Sequence, residues 1–98
     1  MAITLVATGS GSAINSGNVT VTFSSAGAAD DFVYVSVCAL GAVTISDAGY
    51  SLISSPTFGN ASQLSIYRKL LTAADTSVTV TGTGATTSTT SVVAYVLR

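Results

Sequence analysis

The sequence contains no histidine, and its 98 residues include only three basic and four acidic side chains. Histidine is the commonest general base and the commonest metal ligand, so its absence excludes the hydrolytic triads. Three cations and a net charge of -1 cannot neutralise a run of phosphates, which argues against nucleic-acid binding and against adhesion to an anionic membrane. We therefore expect no enzyme, no metal or other cofactor, no nucleic-acid partner and no membrane partner.

Cysteine is equally scarce, because Cys38 stands alone and no disulfide can form within the chain. A reducing compartment therefore costs the protein nothing. Met1 leads directly into alternating residues, without the basic and apolar regions of a secretory signal, and no run approaches the length of a membrane span. We expect a protein kept in a cytoplasm, with the Cys38 thiol buried as a small hydrophobic group between Val37 and Ala39.

The length predicts one domain that spans residues 1–98, because two cores would each be too small to fold comfortably. Hydrophobic residues make up 48% of the chain and charged residues 7%, whereas an ordinary soluble domain is about 25% charged. Serine and threonine take the place of charge. Such a neutral surface tolerates close contact with neighbouring molecules.

Apolar and polar residues alternate with a period of two along most of the chain, which predicts an all-β fold. We expect a single antiparallel β-sandwich, Ig-like or jelly-roll-like, of seven or eight short strands. Strands are predicted at residues 3–6, 19–24, 32–40, 42–46, 50–54, 64–70, 77–83 and 91–97. The apolar residues in 61–74 also fit helical spacing, but they fit a period of two better, so we favour a strand.

The stretch from Gly9 to Ser12 superficially resembles a phosphate-binding loop, but it has no third glycine at the required spacing and no lysine after it. We predict a flexible turn there, as part of a polar connection that runs on to Asn18.

The predicted strand Phe32–Leu40 differs from the others because apolar side chains occupy both of its alternating faces. We expect one face to pack into the core and the other to be covered as well. A second subunit of a cyclic dimer or trimer is the cover that we favour. The connection from Gly9 to Asn18, folded over the strand, is the alternative.

The acidic residues leave two chemical alternatives open. Asp47 and Asp75 could act as a carboxylate pair in glycoside chemistry if they met in a cleft. Asp30 and Asp31 could contribute to a weak calcium site, but we predict that they sit at a loop end and make turn hydrogen bonds.

Three stretches resemble a recurrent module of tailed-bacteriophage virion proteins. They are Asp30-Asp31-Phe32-Val33-Tyr34-Val35-Ser36-Val37, Ile45-Ser46-Asp47-Ala48-Gly49-Tyr50 and Leu64-Ser65-Ile66-Tyr67-Arg68-Lys69-Leu70-Leu71-Thr72-Ala73-Ala74-Asp75, and the closing Val92-Val93-Ala94-Tyr95 fits as well. In that family an acidic turn precedes a hydrophobic strand, a Gly-aromatic pair follows a short turn, and a tyrosine-basic strand runs into a Thr-Ala-Ala-Asp corner. This sequence departs from the family at Tyr50, where tryptophan is usual.

The resemblance implies a structural virion protein. A free-standing module of this kind looks like a phage head decoration (cement) protein, which binds the outer capsid surface and stabilises contacts between capsomers. The implied partners are the major capsid protein and further copies of the chain, as a dimer or trimer, and the implied location is the capsid exterior after assembly in the host cytoplasm. The alternative is a receptor- or glycan-binding module of a phage tail or fibre.

The candidate interface residues are aromatic or basic: Phe32, Tyr34, Tyr50, Phe58, Arg68 and Lys69. Tyr50 and Phe58 lie at predicted turns or loops, where a ligand could reach them. Arg68 and Lys69 are neighbours on one predicted strand, so we expect their side chains to point to opposite faces.

Overall fold

Strands make up the regular structure of the computed structural model, which describes residues 2–14, 18–40, 43–58, 62–81 and 89–98. The strands are β1 (Leu5–Ile14), β2 (Val19–Gly27), β3 (Phe32–Leu40), β4 (Thr44–Ile45), β5 (Ser51–Ser54), β6 (Thr57–Phe58), β7 (Ser62–Leu70), β8 (Asp75–Thr81) and β9 (Thr89–Leu97). Within the described ranges no helix is long and apolar enough to cross a membrane.

The strands form two antiparallel sheets, and their order is nested. Sheet A has the order β1-β9-β3-β7-β5, with β6 also beside β7, and sheet B has the order β2-β8-β4. Because β5 and β6 border the same strand, the nine segments fill eight positions. β1 pairs with β9, β2 with β8 and β3 with β7, as in a long hairpin rolled into two layers. This nesting is the arrangement of a jelly roll, and the predicted all-β sandwich is confirmed.

The core between the sheets is built mainly from valine. The inward residues of β3, namely Val33, Val35 and Val37, are completely buried. Val21 of β2 and Val78 of β8 meet them from sheet B. Burying each such side chain stabilises the fold by about 1.5–3 kcal/mol, and the β-branched side chain suits an extended backbone. A charged residue at Val35 would therefore prevent folding.

The predicted turn at Gly9–Ser12 is wrong, because these residues form the middle of β1 and pair with β9. A Cβ atom added at Gly9 would lie 2.6 Å from Val21 Cγ1 and 2.7 Å from the carbonyl oxygen of Thr22. Glycine is needed here for the close approach of β1 to β2. The alternative, in which the connection from Gly9 to Asn18 folds over Phe32–Leu40, is wrong for residues 9–14. These residues belong to β1.

Several other predicted boundaries shift while the strands themselves remain. The ambiguous segment 61–74 contains β7, so the strand interpretation is confirmed and the helical one is wrong. The strand predicted at 19–24 is longer in the structure, because β2 continues to Gly27. The strand predicted at 91–97 starts earlier, because β9 begins at Thr89, and residues 82–88 lie outside the described residues.

Candidate functional site

The outward side chains of sheet A form one surface, which we call the outer face. The strand register defines four rows across β1, β9, β3 and β7: Leu5, Leu97, Phe32 and Leu70; Thr8, Tyr95, Tyr34 and Arg68; Ser10, Val93, Ser36 and Ile66; Ser12, Ser91, Cys38 and Leu64. The first row is entirely apolar, and the last carries two serines and a thiol. The outer face therefore grades from an apolar end to a more polar end.

The apolar end of the outer face is open to solvent. Leu5 is 56% exposed, Leu70 48%, Tyr95 43% and Phe32 37%, and nearby Ile3 is 78% exposed. The whole outer face, with four rows on four strands, has a footprint on the order of 500 Å², and its apolar end is only part of that area. Exposed apolar patches of a few hundred Å² are often interaction sites.

One cation lies within the four rows of the outer face. The Phe32 and Tyr34 rings are tilted against each other with centroids 6.2 Å apart, and the guanidinium carbon of Arg68 lies 5.6 Å from the Phe32 ring centroid. This cation–π contact holds the guanidinium beside the Phe32 ring, and Arg68 remains exposed. Aromatic residues and arginine are the types enriched at protein interfaces.

A groove of about 370 Å³ opens at the apolar end, lined by Ile3, Phe32, Tyr34 and Leu97, among others. The charged residues Asp30 and Arg98 also line it. A groove of this volume is large enough to receive apolar side chains of a partner.

The predicted interface residues fall into two groups. Phe32, Tyr34 and Arg68 lie together on the outer face, whereas Lys69 points to the other side of sheet A, as the alternation predicts. There its ammonium nitrogen lies 5.3 Å from the Tyr50 ring centroid and 3.7 Å from Asp75 Oδ2. The backbone of Phe58 lies in β6, opposite Ser62 of β7, and nothing is described of its side chain.

Tyr50 and the nearby carboxylates of Asp47 and Asp75 interact with other groups of the protein itself. Burial raises the pKa of Tyr50 well above its ordinary value, and the negative charges of Asp75 and Asp47 raise it further, so the hydroxyl stays protonated. Asp47 Oδ2 accepts a hydrogen bond from the Thr79 amide at 2.6 Å, while Asp75 pairs with Lys69. These two carboxylates therefore hold different partners.

The pair Asp30 and Asp31 makes the predicted loop end. Asp30 has a positive φ of 71°, and Asp31 Oδ2 accepts a hydrogen bond from the Ala28 amide at 2.8 Å. Arg98 donates to both oxygens of the same carboxylate. Among the described residues no group of three or more metal-ligating side chains comes together.

The prediction of a buried Cys38 is wrong, because its thiol is exposed. Strand β3 alternates strictly, so the buried residues Val37 and Ala39 place Cys38 between them on the outer face. The apolar neighbours in sequence point the other way. Only one face of β3 lies in the core, and nothing in the described part of the chain buries the other.

The sequence interpretation missed Tyr95, Leu70 and Leu5 as members of the outer face. A usable signal existed at the end of β9, where the smaller residues Ala94 and Val96 alternate with the larger Tyr95 and Leu97. The small set faces the core, which leaves Tyr95 outside.

Comparisons of the chain with protein-family models, with curated protein sequences and with solved structures found no match.

Proposed function

We propose that the protein is a structural virion component, a head decoration or cement protein of a tailed bacteriophage that binds the outer capsid surface through the outer face. One observation carries this proposal: a rigid, solvent-open apolar surface that holds Arg68 as the charged side chain of its four rows. The partners are the major capsid protein and further copies of the chain. The resemblance seen in the sequence supports the choice of a virion over other assemblies.

The outer face suits permanent contact with another protein. Its side chains stand on paired strands, so little backbone entropy is lost on binding. The face carries few charges, so the free energy lost in desolvating them is small. The burial of its apolar area therefore remains favourable for binding. The footprint is small for one contact, and a lattice that offers many equal sites compensates for weak single contacts.

The chemistry of the face specifies what a partner would present. Apolar side chains of the capsid would enter the groove beside Phe32 and Leu97. A capsid carboxylate would pair with Arg68, whose guanidinium is already held beside the Phe32 ring.

Copy number tests the proposed role. Virions of the virus that encodes the chain would be purified and their protein bands quantified against the major capsid protein. A cement protein is present in hundreds of copies per particle. A count of a few tens would favour the receptor- or glycan-binding tail or fibre module, and absence from the virion would refute both.

A pair of variants tests the face. Tyr95→Lys places a charge at the centre of the apolar end, and Thr22→Lys places the same charge on the exposed surface of sheet B. Binding to capsids assembled without the protein should weaken about tenfold or more for Tyr95→Lys and remain unchanged for Thr22→Lys. Equal binding by the two variants would contradict the assignment of the outer face.

The alternative function keeps one observation in its favour. Tyr34 and Tyr95 are cross-strand neighbours on the outer face, and Tyr95 is 43% exposed. Exposed aromatic rings beside hydroxyl groups can also stack on sugars. A Tyr95→Phe variant distinguishes capsid binding from glycan binding less well than the copy number does, because both contacts would use the aromatic ring.

A further inference from the structure

Most charged side chains of this chain have a partner within the same copy. The three cations and four carboxylates all lie in the ranges that the structure describes. Two ion pairs form: Asp31 with Arg98, and Asp75 with Lys69. Asp47 accepts a hydrogen bond from the Thr79 amide. Asp30 and Arg68 remain, and in the described part of the chain neither side chain has an oppositely charged partner.

The two unpaired charges border the same apolar surface. Asp30 is exposed and lines the groove together with Phe32 and Tyr34. Arg68 is exposed as well, and its guanidinium carbon lies 5.6 Å from the centroid of the Phe32 ring. The apolar end of the outer face therefore carries one free carboxylate and one free guanidinium.

Asp30 and Arg68 lie on opposite sides of Phe32 along the strand direction. Asp30 precedes Phe32 by two residues, and Arg68 lies opposite Tyr34, which follows Phe32 by two residues. A two-fold axis that runs across the strands beside Phe32, in the plane of a contact, exchanges these two sides. Each charge of one copy would then meet the opposite charge of the other.

We propose that the apolar ends of two copies pack against each other about such an axis. Arg68 of each copy pairs with Asp30 of the other, which gives two ion pairs per dimer. The first row of each outer face lies against the first row of the other. The more polar ends, which carry Cys38, extend away from the contact in opposite directions.

The charges favour a second copy over a different protein as the occupant. A two-fold contact is self-complementary, so one carboxylate and one guanidinium per copy satisfy each other completely. The contact is small, because the apolar end is only part of a face of about 500 Å², whereas a partner in a stable complex contributes about 800 Å². The dimer is therefore weak and reversible.

The dimer would regulate the outer face. The dimer contact and the proposed capsid contact both use Phe32 and the groove, so one copy cannot make both at once. In free protein the dimer would cover the apolar end, and capsid binding would draw copies out of it by mass action. This consequence rests on the proposed function, whereas the dimer itself does not.

Removal of either charge tests the pairing. Sedimentation equilibrium of the wild type should show a concentration-dependent species of twice the 9.7 kDa chain mass. Asp30→Asn removes the carboxylate at a position whose φ of 71° suits asparagine, and it should weaken the association about tenfold. Arg68→Asp should weaken it more, because it brings two carboxylates together on each side of the axis.

A charge exchange makes the result specific. The double variant Asp30→Lys with Arg68→Asp keeps the net charge of -1 and restores both pairs with their signs reversed, so it should associate like the wild type. Thr22→Asp places a carboxylate on the exposed surface of sheet B and should not alter the association. Melting curves show that each variant is folded. A wild type that stays monomeric at millimolar concentration, or a double variant that associates no better than Arg68→Asp, would overturn the proposal.

Capsid binding separates this inference from the proposed function. In the double variant self-association should remain while capsid binding falls, because Arg68 no longer offers a cation to a capsid carboxylate. A wild type that dimerises without binding capsids would support the dimer and refute the capsid role. A wild type that binds capsids but does not dimerise would do the reverse.

Discussion

The carboxylate of Asp31 receives two hydrogen bonds from the guanidinium of Arg98, at 2.8 Å from Nε and 3.0 Å from Nη2. Asp31 is 1% exposed while Arg98 is largely open to solvent. The backbone of Asp31 also accepts a hydrogen bond from the Leu71 amide at 2.8 Å. One residue thus ties the turn before β3 to the chain after β7 and to the chain after β9.

Asp31 makes the stability of the fold depend on acid. The hydrogen bond from Arg98, and then the Ala28 amide, hold the pKa of the Asp31 carboxyl below its ordinary value. A carboxyl with a lowered folded pKa stabilises the fold above its unfolded pKa of about 3.9, and this contribution is lost as the pH falls through the folded pKa. Asp31→Asn should therefore melt several degrees below the wild type at neutral pH, with the gap closing below about pH 4.

The matched control for this change is Asp30→Asn, one residue earlier in the same turn. Asp30 is exposed and has a positive φ, which asparagine adopts readily. Melting curves of Asp30→Asn should follow the wild type at every pH. A gap between Asp31→Asn and wild type that is constant with pH would show that the carboxylate charge is not what stabilises the turn.

The fold was predictable from the sequence because its main determinant is local. Alternation predicts β2 and β7, since a period of two fixes which residues can share a face, and the apolar run Phe32–Leu40 predicts β3. The sequence does not distinguish a jelly-roll-like from an Ig-like strand order, because long-range pairing leaves no local pattern.

The errors come from residues whose role depends on the opposite sheet. Gly9 carries the composition of a turn but serves the approach of β2, which no neighbour in sequence reveals. Cys38 is a second case, because its apolar neighbours in sequence do not show whether its own face of β3 is covered. Phe32, Tyr34 and Arg68 were found because aromatic and basic residues are conspicuous, whereas Leu5 and Leu70 become part of a site only once register joins them.

Two tyrosines with different surroundings should respond oppositely to loss of the hydroxyl. Tyr67 donates to the Val43 carbonyl at 2.7 Å, so Tyr67→Phe should cost about 1 kcal/mol. The buried Tyr50 hydroxyl has no partner among the described residues, so Tyr50→Phe should be neutral or stabilise by about 1 kcal/mol. Urea denaturation of each variant measures both values. Equal destabilisation would show that Tyr50 has a partner.

The exposed thiol of Cys38 should react at the rate of a free thiol in native buffer, because no unfolding is needed to reach it. Cys38→Ser should change the free energy of unfolding by less than about 0.5 kcal/mol, as for other surface substitutions. Labelling kinetics with a coloured disulfide reagent test the first point. Labelling that speeds up only with denaturant would return Cys38 to a buried position.

The close approach of β1 and β2 predicts a ranking between two glycines of one strand. At Gly9 an added Cβ would meet Val21 Cγ1 and the Thr22 carbonyl oxygen, and a backbone atom of a paired strand cannot move aside cheaply. At Gly11 the nearest atom would be Val19 Cγ1 at 3.0 Å, which is a side-chain methyl. Gly9→Ala should therefore destabilise the fold by about 1–3 kcal/mol, while Gly11→Ala should cost less, because the lower entropy of the unfolded alanine chain offsets about 0.4–1 kcal/mol. Ser10→Ala between them adds no atom and serves as the control. Urea denaturation of the three variants gives the order, and a Gly9→Ala variant as stable as Ser10→Ala would mean that the sheets are not held together at this point.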